Sequence, residues 1–307
     1  MRCESVLDAI GGTPHIRLNR MFGSDHQIWI KLESANPGGS LKDRAALAMV
    51  EAAEERGDLQ PGGTVIVPSS GNAAIGLALV CAVKGYRLIV AMPVSMSLER
   101  RRALWSYGAE IVLTSHEGWL GEAVHRASEL AAEIPGAWLA QQFDDPANLL
   151  AHSDSTAMEI LGDFPEGLDV MVAGVGTGGH CCGTALALKE TWPNLEVIAV
   201  EPSVSPVLTG GPANPHRILG IGAGFVPSVY DPSAVNRVVS VDEEDAYEMT
   251  RRCAREEGIW AGVSTGANLA AISQLLPELE GKRVLTFNYD TGERYLSVEG
   301  LFPDRVP

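Results

Sequence analysis

The sequence predicts an α/β protein with two domains, each built on a mostly parallel sheet. Three observations lead there. Short, β-branched apolar runs alternate with stretches of helical periodicity over most of the chain, the pattern of βαβ units. The runs are almost continuously apolar, as strands covered on both faces must be. A chain of 307 residues with 46% hydrophobic content is also long enough for a substantial core, at a length that suits two domains or one large one.

Taken in order, "TVIV" (64–67), "RLIVAM" (87–92), "EIVLT" (110–114), "DVMVAG" (169–174), "EVIAVE" (196–201) and "RVLTF" (283–287) read as buried strands. "EAAEERG", "LERRRALWSYG" and "EAVHRASELAAEI" carry apolar residues three and four apart and read as covering helices. So many strands suggest two sheets, with functional groups in the crevice beyond the carboxyl ends of the strands. The stretch from Ser203 to Pro232, "SVSPVLTGGPANPHRILGIGAGFVPSVYDP", is rich in Gly and Pro and has no clear period. A segment of that length inside an α/β fold is more often functional than idle. Composition alone marks no domain boundary.

Charge removes whole classes of partner. The chain has 23 basic and 39 acidic residues, a net charge of −16. A field of that sign repels phosphate backbones and anionic lipid, so nucleic acid and membrane are not expected as partners. A small anionic ligand answers to local groups instead. Five cysteines (Cys3, Cys81, Cys181, Cys182, Cys253) lack metal-ligand spacing, and no metal is expected. Adjacent Cys181 and Cys182 read as small apolar helix residues rather than a redox pair. The N-terminal stretch has no signal-peptide core, and apolar runs such as Ile75–Val83 are too short to span a bilayer. A cytoplasmic setting is expected.

Three glycine- and serine-rich loops carry the candidate chemistry. In "NPGGSLKDR" (36–44), turn residues lead through a Ser40/Asp43 capping pair into a helix that places Lys42 in its first turn. The positive end of a helix lowers a lysine pKa, which suits an amine that must be neutral to form a Schiff base. From this local pattern alone, an ordinary solvated lysine is the simpler reading. In "PSSGNAAIGLA", the residues Ser69, Ser70, Gly71 and Asn72 stand between a strand and an apolar helix, where hydroxyls and N–H groups make an anion site of carboxylate size. In "GVGTGGHCCGTA" (174–185), Gly176, Thr177, Gly178 and Gly179 again follow a strand and open a helix, a place for a phosphate. A lone glycine-rich turn far along the chain is weak ground for NAD. One amine, one carboxylate site and one phosphate cup together point to an aldehyde cofactor with a single phosphate, pyridoxal 5'-phosphate, and an amino-acid substrate.

The motifs "GGTPHIRLNR", "NPGGSLKDRAALAMV", "SSGN", "QFDDPAN", "GVGTGG", "GVSTGA" and "TGERYLS", with the long Gly/Pro-rich segment, run nearly end to end. In these the chain resembles the O-acetylserine sulfhydrylase (cysteine synthase) and cystathionine β-synthase family of fold type II pyridoxal-phosphate enzymes. The resemblance implies a tryptophan synthase β-like fold of two α/β domains, 35–146 and 1–34 with 147–307, with the active site in the cleft between them. It implies β-replacement on an O-activated L-serine through an α-aminoacrylate, first of all O-acetyl-L-serine and sulfide to L-cysteine and acetate.

By the same resemblance Lys42 would hold the cofactor and remove the substrate α-proton. Asn72 would bond the cofactor's 3′ oxygen, and Ser69, Ser70, Gly71 and Gln142 would take the substrate carboxylate. Gly176, Thr177, Gly178, Gly179 and His180 would hold the phosphate, with Thr184 a further candidate. Ser264 would face the pyridine nitrogen without enforcing its protonation, which suits elimination better than transamination. Gly220, Ile221 and Gly222 would close over the substrate and keep water out. The family habit is a homodimer, and the C-terminal tail of serine acetyltransferase is a partner it implies.

Three departures from the family pattern touch the chemistry. Ala73 stands where a threonine hydroxyl usually meets the substrate carboxylate, a bond worth roughly 1.5–3 kcal/mol. Ala74 replaces a glycine, and His180 replaces a threonine in the phosphate loop, facing either the phosphate or, as an acid or base, the substrate. They leave open a synthase of another β-substituted alanine, of the 2,3-diaminopropionate or O-ureidoserine type. A β-eliminating lyase and a non-catalytic binder of serine acetyltransferase are further alternatives.

Overall fold

The computed structural model describes residues 2–69, 71–115 and 119–303. In chain order its elements begin with β1 (His15–Arg17), β2 (Gln27–Leu32), α1 (Lys42–Arg56), β3 (Thr64–Pro68), α2 (Asn72–Lys84) and β4 (Arg87–Pro93). Next come α3 (Leu98–Ser106), β5 (Glu110–Thr114), α4 (Trp119–Glu133), β6 (Trp138–Leu139), α5 (Ala147–Ala151) and α6 (Ala157–Asp163). The chain continues with β7 (Val170–Gly174), α7 (Gly179–Thr191), β8 (Glu196–Pro202), β9 (Arg237–Val241), α8 (Glu243–Arg252), α9 (Val263–Leu275) and β10 (Arg283–Asn288). It divides into two compact units, Met1–Ile10 with Asn36–Asn148, and Gly11–Ala35 with Leu149–Pro307.

The first unit holds a parallel sheet in the order β5-β4-β3-β6. Its two central strands are apolar on both faces because each face meets helices. Val65, Val67, Leu88, Val90 and Met92 pack with Met49 of α1 and Leu77 and Val80 of α2. The alternate residues Ile66, Ile89 and Ala91 pack with Ala123, Ala127 and Leu130 of α4. Side chains alternate across a strand, so an unbroken apolar run serves two layers at once.

The second unit holds the sheet β1-β2-β10-β7-β8-β9, in which β1 runs antiparallel to β2 and the other neighbours are parallel. Ile28, Ile30, Val170, Val172, Ile198, Val200 and Val284 form one core with Leu269, Ala270 and Ile272 of α9 and Tyr247 of α8. α8 and α9 lie very close. A Cβ on Gly266 would overlap Thr250 Oγ1 and the Ala246 carbonyl oxygen. Overpacking of this kind outweighs the better helix propensity of alanine, so Gly266→Ala is expected to destabilise the protein by about 2–3 kcal/mol. A lower urea midpoint at unchanged slope would show it.

All six strands read from the sequence are present, each within one residue of its expected bounds, as β3, β4, β5, β7, β8 and β10. Two α/β units with mostly parallel sheets bear out the fold class. The four strands not foreseen are short or mixed in polarity: β1 has three residues, β6 has two, β2 carries Gln27 and Lys31 among its apolar residues, and β9 carries Arg237 and Ser240. From Ser203 to Asp231 the chain has neither strand nor helix, as its composition foretold. Among the described residues no helix is long and apolar enough to cross a membrane.

Candidate active site

Lys42 is the first residue of α1. The turn before it closes with Gly39 N–H donating to the Asn36 carbonyl at 2.7 Å, and Gly39 sits at φ 77°. Ser40 Oγ accepts from the Lys42 N–H at 3.2 Å, while the Asp43 carboxylate reaches back to accept from the Gly38 N–H at 2.5 Å. The expected Ser40/Asp43 capping box does not form, since Leu41 is the N-cap of α1 and no side chain caps the helix; the two side chains instead tie the glycine turn to the helix start. From the other side, a Cβ on Gly76 of α2 would stand 2.9 Å from the Lys42 carbonyl oxygen, so α2 lies directly against this turn.

The five lysines of the chain do not share one environment. Lys31 meets Glu159 at 2.6 Å, Lys84 meets Glu54 at 2.9 Å and Lys282 meets Glu196 at 3.3 Å. Lys189 donates to the Ala234 carbonyl and to Asn236 Oδ1, both at 2.9 Å. Lys42 pairs with no carboxylate among the described residues, and burial alone pushes its pKa down to about 8. The sequence had suggested a lowered pKa from the helix dipole; desolvation of the ammonium is the operating cause. Lys42 is thus the lysine whose amine spends a useful fraction of time neutral near pH 8.

β3 and β6 are parallel neighbours with Val65 opposite Trp138 and Ile66 opposite Leu139. The loops after them, three residues on, carry Ser69 and Gln142, so the register brings these two to one edge of the sheet. Ser69 is buried and its Oγ accepts from the Gly71 N–H at 3.3 Å. Gly71 is the N-cap of α2, which starts at Asn72 without a side-chain cap. The loop of Gln142 is held by buried Asn148, whose Nδ2 donates to the Gln142 carbonyl at 2.7 Å. Ala73 and Ala74 are buried in the first turn of α2. Ser70 lies outside the described residues.

In the second unit the glycine loop follows β7 and opens α7, again at the carboxyl end of a strand. Gly178, the N-cap of α7, sits at φ 90°, and no side chain caps the helix. A Cβ there would meet Tyr230 Cα at 2.8 Å, and one on Gly176 would meet the Gly220 carbonyl oxygen at 2.5 Å. The Gly222 N–H donates to the Val175 carbonyl at 2.9 Å. Residues Gly220–Gly222 therefore lie against the glycine loop. Ser264, buried in the first turn of α9, joins them: its Oγ is 3.4 Å from where a Gly220 Cβ would stand. Thr177 is buried, with its Oγ1 accepting from the Gly179 N–H at 3.4 Å. The ring of His180 turns into the core, edge-on to Phe287 (4.2 Å between centroids), His152 (5.0 Å) and Tyr289 (5.5 Å). Cys181 and Cys182 are buried in α7, in keeping with small core residues.

A family profile described as "Pyridoxal-phosphate dependent enzyme" matches residues 6–290. The chain belongs to this family. It is a pyridoxal-phosphate-dependent, β-replacing enzyme of the cysteine synthase kind, with fold type II architecture. It is 55% identical to a cysteine synthase of Flavobacterium sp. over 262 residues, covering 85% of either chain. Among solved structures, it matches an O-ureido-L-serine synthase with a TM-score of 0.95 at 42% identity, over 98% of this chain and 96% of the other. It matches the cysteine synthase of Entamoeba histolytica with a TM-score of 0.94 at 37% identity, over 100% of this chain and 93% of the other.

The residues present fit the cofactor. The enzyme offers an amine that is partly neutral, and a helix N-terminus with a glycine cradle that a Cβ would fill. One turn into α7, buried Thr184 Oγ1 has no partner, an atom suited to the phosphate side of such a cradle. Sequence reading passed over Asn268, Tyr289 and His152, which lie beneath this loop. Polar residues at the carboxyl end of β10, "NYD" after an apolar strand, were the available signal for Tyr289.

Proposed function

We propose that the enzyme converts O-acetyl-L-serine and sulfide into L-cysteine and acetate. The observation that carries the reading is the 55% identity to a cysteine synthase, supported by Lys42, which pairs with no carboxylate among the described residues and starts a helix packed against the one that Asn72 begins. Ser69, Ser70, Gly71 and Gln142 bind the substrate carboxylate, and Asn72 bonds the cofactor's 3′ oxygen. Gly176, Thr177, Gly178 and Gly179 hold the phosphate through backbone N–H groups and the threonine hydroxyl. His180 contributes its N–H there, since its ring is engaged in the core. Ser264 faces the pyridine nitrogen.

Bound pyridoxal phosphate supplies the electron sink for charge left at the α-carbon. Lys42, as the neutral amine, takes the α-proton. The Cβ–O bond then breaks and acetate leaves with its electron pair. Hydrosulfide forms the new Cβ–S bond, and the Lys42 ammonium returns a proton to the α-carbon. Gly220, Ile221 and Gly222 close over the substrate and exclude water during these steps. The reading includes a cytoplasmic homodimer and, as a regulatory partner, the C-terminal tail of serine acetyltransferase.

A second reading has a specific ground. Ala73 removes a hydroxyl from the carboxylate site, and the O-ureido-L-serine synthase match covers nearly the whole chain. On that reading hydroxyurea, not sulfide, is the nucleophile. Mass-spectrometric assay of products from O-acetylserine with sulfide, thiosulfate, hydroxyurea or simple amines separates the two. Cysteine is expected as the product formed with the highest kcat/KM. A higher kcat/KM for hydroxyurea would transfer the assignment to the second reading. Pyruvate release at the same rate with and without nucleophile would overturn both.

A further inference from the structure

Tyr289 follows directly on β10 and is buried. β10 and β7 are parallel, with Leu285 opposite Met171. Three or four residues further along, this register brings Tyr289 beside the start of the glycine loop. Its hydroxyl accepts from the Gly174 N–H at 2.8 Å and from Asn268 Nδ2 at 3.1 Å, and donates to the Gly174 carbonyl at 3.4 Å. Those three bonds exhaust the capacity of a phenol hydroxyl, one donor and two acceptors. It is therefore a strut and not a proton carrier. The backbone N–H of Tyr289 donates to Thr265 Oγ1 at 3.1 Å, and Thr265 is the neighbour of Ser264. Asn268 lies one turn further along α9. The phenol ring is held by Phe287, stacked at 6.3 Å, and by the edge-on ring of His180.

We propose that Tyr289 is a positioning residue for the cofactor, locking the loop that receives the phosphate to the helix that presents Ser264 to the pyridine ring. The proposal rests on the assignment of the phosphate to Gly176–Gly179 and of the ring nitrogen to Ser264. Two ends of one rigid cofactor must be held at a fixed spacing. In the second unit, Tyr289 bonds to both elements that set that spacing. His180 takes its place in the same device. A threonine there would leave the Tyr289 ring without its edge contact, whereas the imidazole fills the space beneath the loop.

Tyr289→Phe keeps the ring contacts and removes only the hydroxyl, leaving the Gly174 N–H and the Asn268 amide without their partner. In the holoenzyme the dissociation constant for pyridoxal phosphate is expected to rise about tenfold, the order of one lost buried hydrogen bond. The phosphorus NMR signal of the bound cofactor should move or broaden, and its near-ultraviolet absorption maximum should shift. Tyr247→Phe is the control. Tyr247 is equally buried in the same unit, its hydroxyl has no hydrogen-bond partner, and the same readouts should stay at wild-type values. Thermal midpoints of both variants show whether any effect is general loosening. Should the tyrosine variant not fold, Asn268→Leu removes one of the three bonds and reads the same signals.

Wild-type affinity and phosphorus signal in Tyr289→Phe overturn the proposal. Thr177→Val separates this failure from a failure of the site assignment. If Thr177→Val alters the phosphorus signal while Tyr289→Phe does not, only the strut is wrong. If both are silent, the phosphate does not sit in this loop and both statements fall.

Discussion

Lys42→Ala is expected to lower turnover by on the order of 10⁴-fold, the upper range for loss of an acid–base group, because the same amine attaches the cofactor and moves the α-proton. Borohydride reduction followed by tryptic mass spectrometry should find a pyridoxyl group on the Lys42 peptide of the wild type, and on no lysine of the variant. The other four lysines make poor substitutes. Three stand opposite carboxylates and Lys189 is held by a carbonyl and an amide oxygen, so each of these amines is already engaged by a partner. A pyridoxyl group found on one of them in the wild type would refute the assignment. The lowered pKa adds a direction in pH. With a value of about 8, roughly a tenth of the amine is neutral at pH 7 and roughly nine-tenths at pH 9. The rate at which apo-enzyme takes up pyridoxal phosphate should therefore rise about tenfold over that interval and level off above it. A lysine at its ordinary value of 10.5 would instead keep accelerating beyond pH 10.

Lys42 also shows what the sequence carries and what it withholds. The glycine turn, the serine and aspartate around it and the helix that follows were all readable locally, because turns and caps depend on residues a few positions apart. The burial that lowers the pKa was not, since it depends on how the folded chain packs around the amine and not on neighbours in sequence. The strands β3, β4, β7 and β8 were legible for a related reason. A strand covered on both faces needs apolar residues at every position, and that composition is visible without knowing the partner. β6, with two residues, gives no such signal, and it is the register of β6 on β3 that brings the loop of Gln142 to the same edge of the sheet as that of Ser69. His180 was legible as an odd residue in a phosphate loop but not in its orientation. Whether that ring faces the loop or the core is decided by Phe287 and His152, which no local pattern connects to it.

Gly178→Ala is expected to cost the enzyme about a hundredfold in cofactor affinity. The loop must turn through φ 90° at this residue, a region that costs an L-residue about 1–2 kcal/mol. The added methyl would also stand 2.8 Å from Tyr230 Cα and Cβ. Backbone on the far side cannot rotate away as a side-chain tip can, so either the 227–231 segment or the first turn of α7 must move. A shift of about 1 Å in groups that position a bound species is enough for a loss of about 10²-fold. Gly162→Ala is the matched control. It makes the same substitution in the same unit, near the end of α6, with nothing within 4 Å of the new Cβ. There alanine should leave cofactor affinity unchanged and add up to about 1 kcal/mol to stability through helix propensity. Equilibrium reconstitution, followed by absorbance, gives both affinities, and thermal midpoints measured beside them separate loop distortion from unfolding. If Gly178→Ala held pyridoxal phosphate as tightly as Gly162→Ala, the backbone at the start of α7 would not be the cradle, and the phosphate would have to be sought at another helix N-terminus.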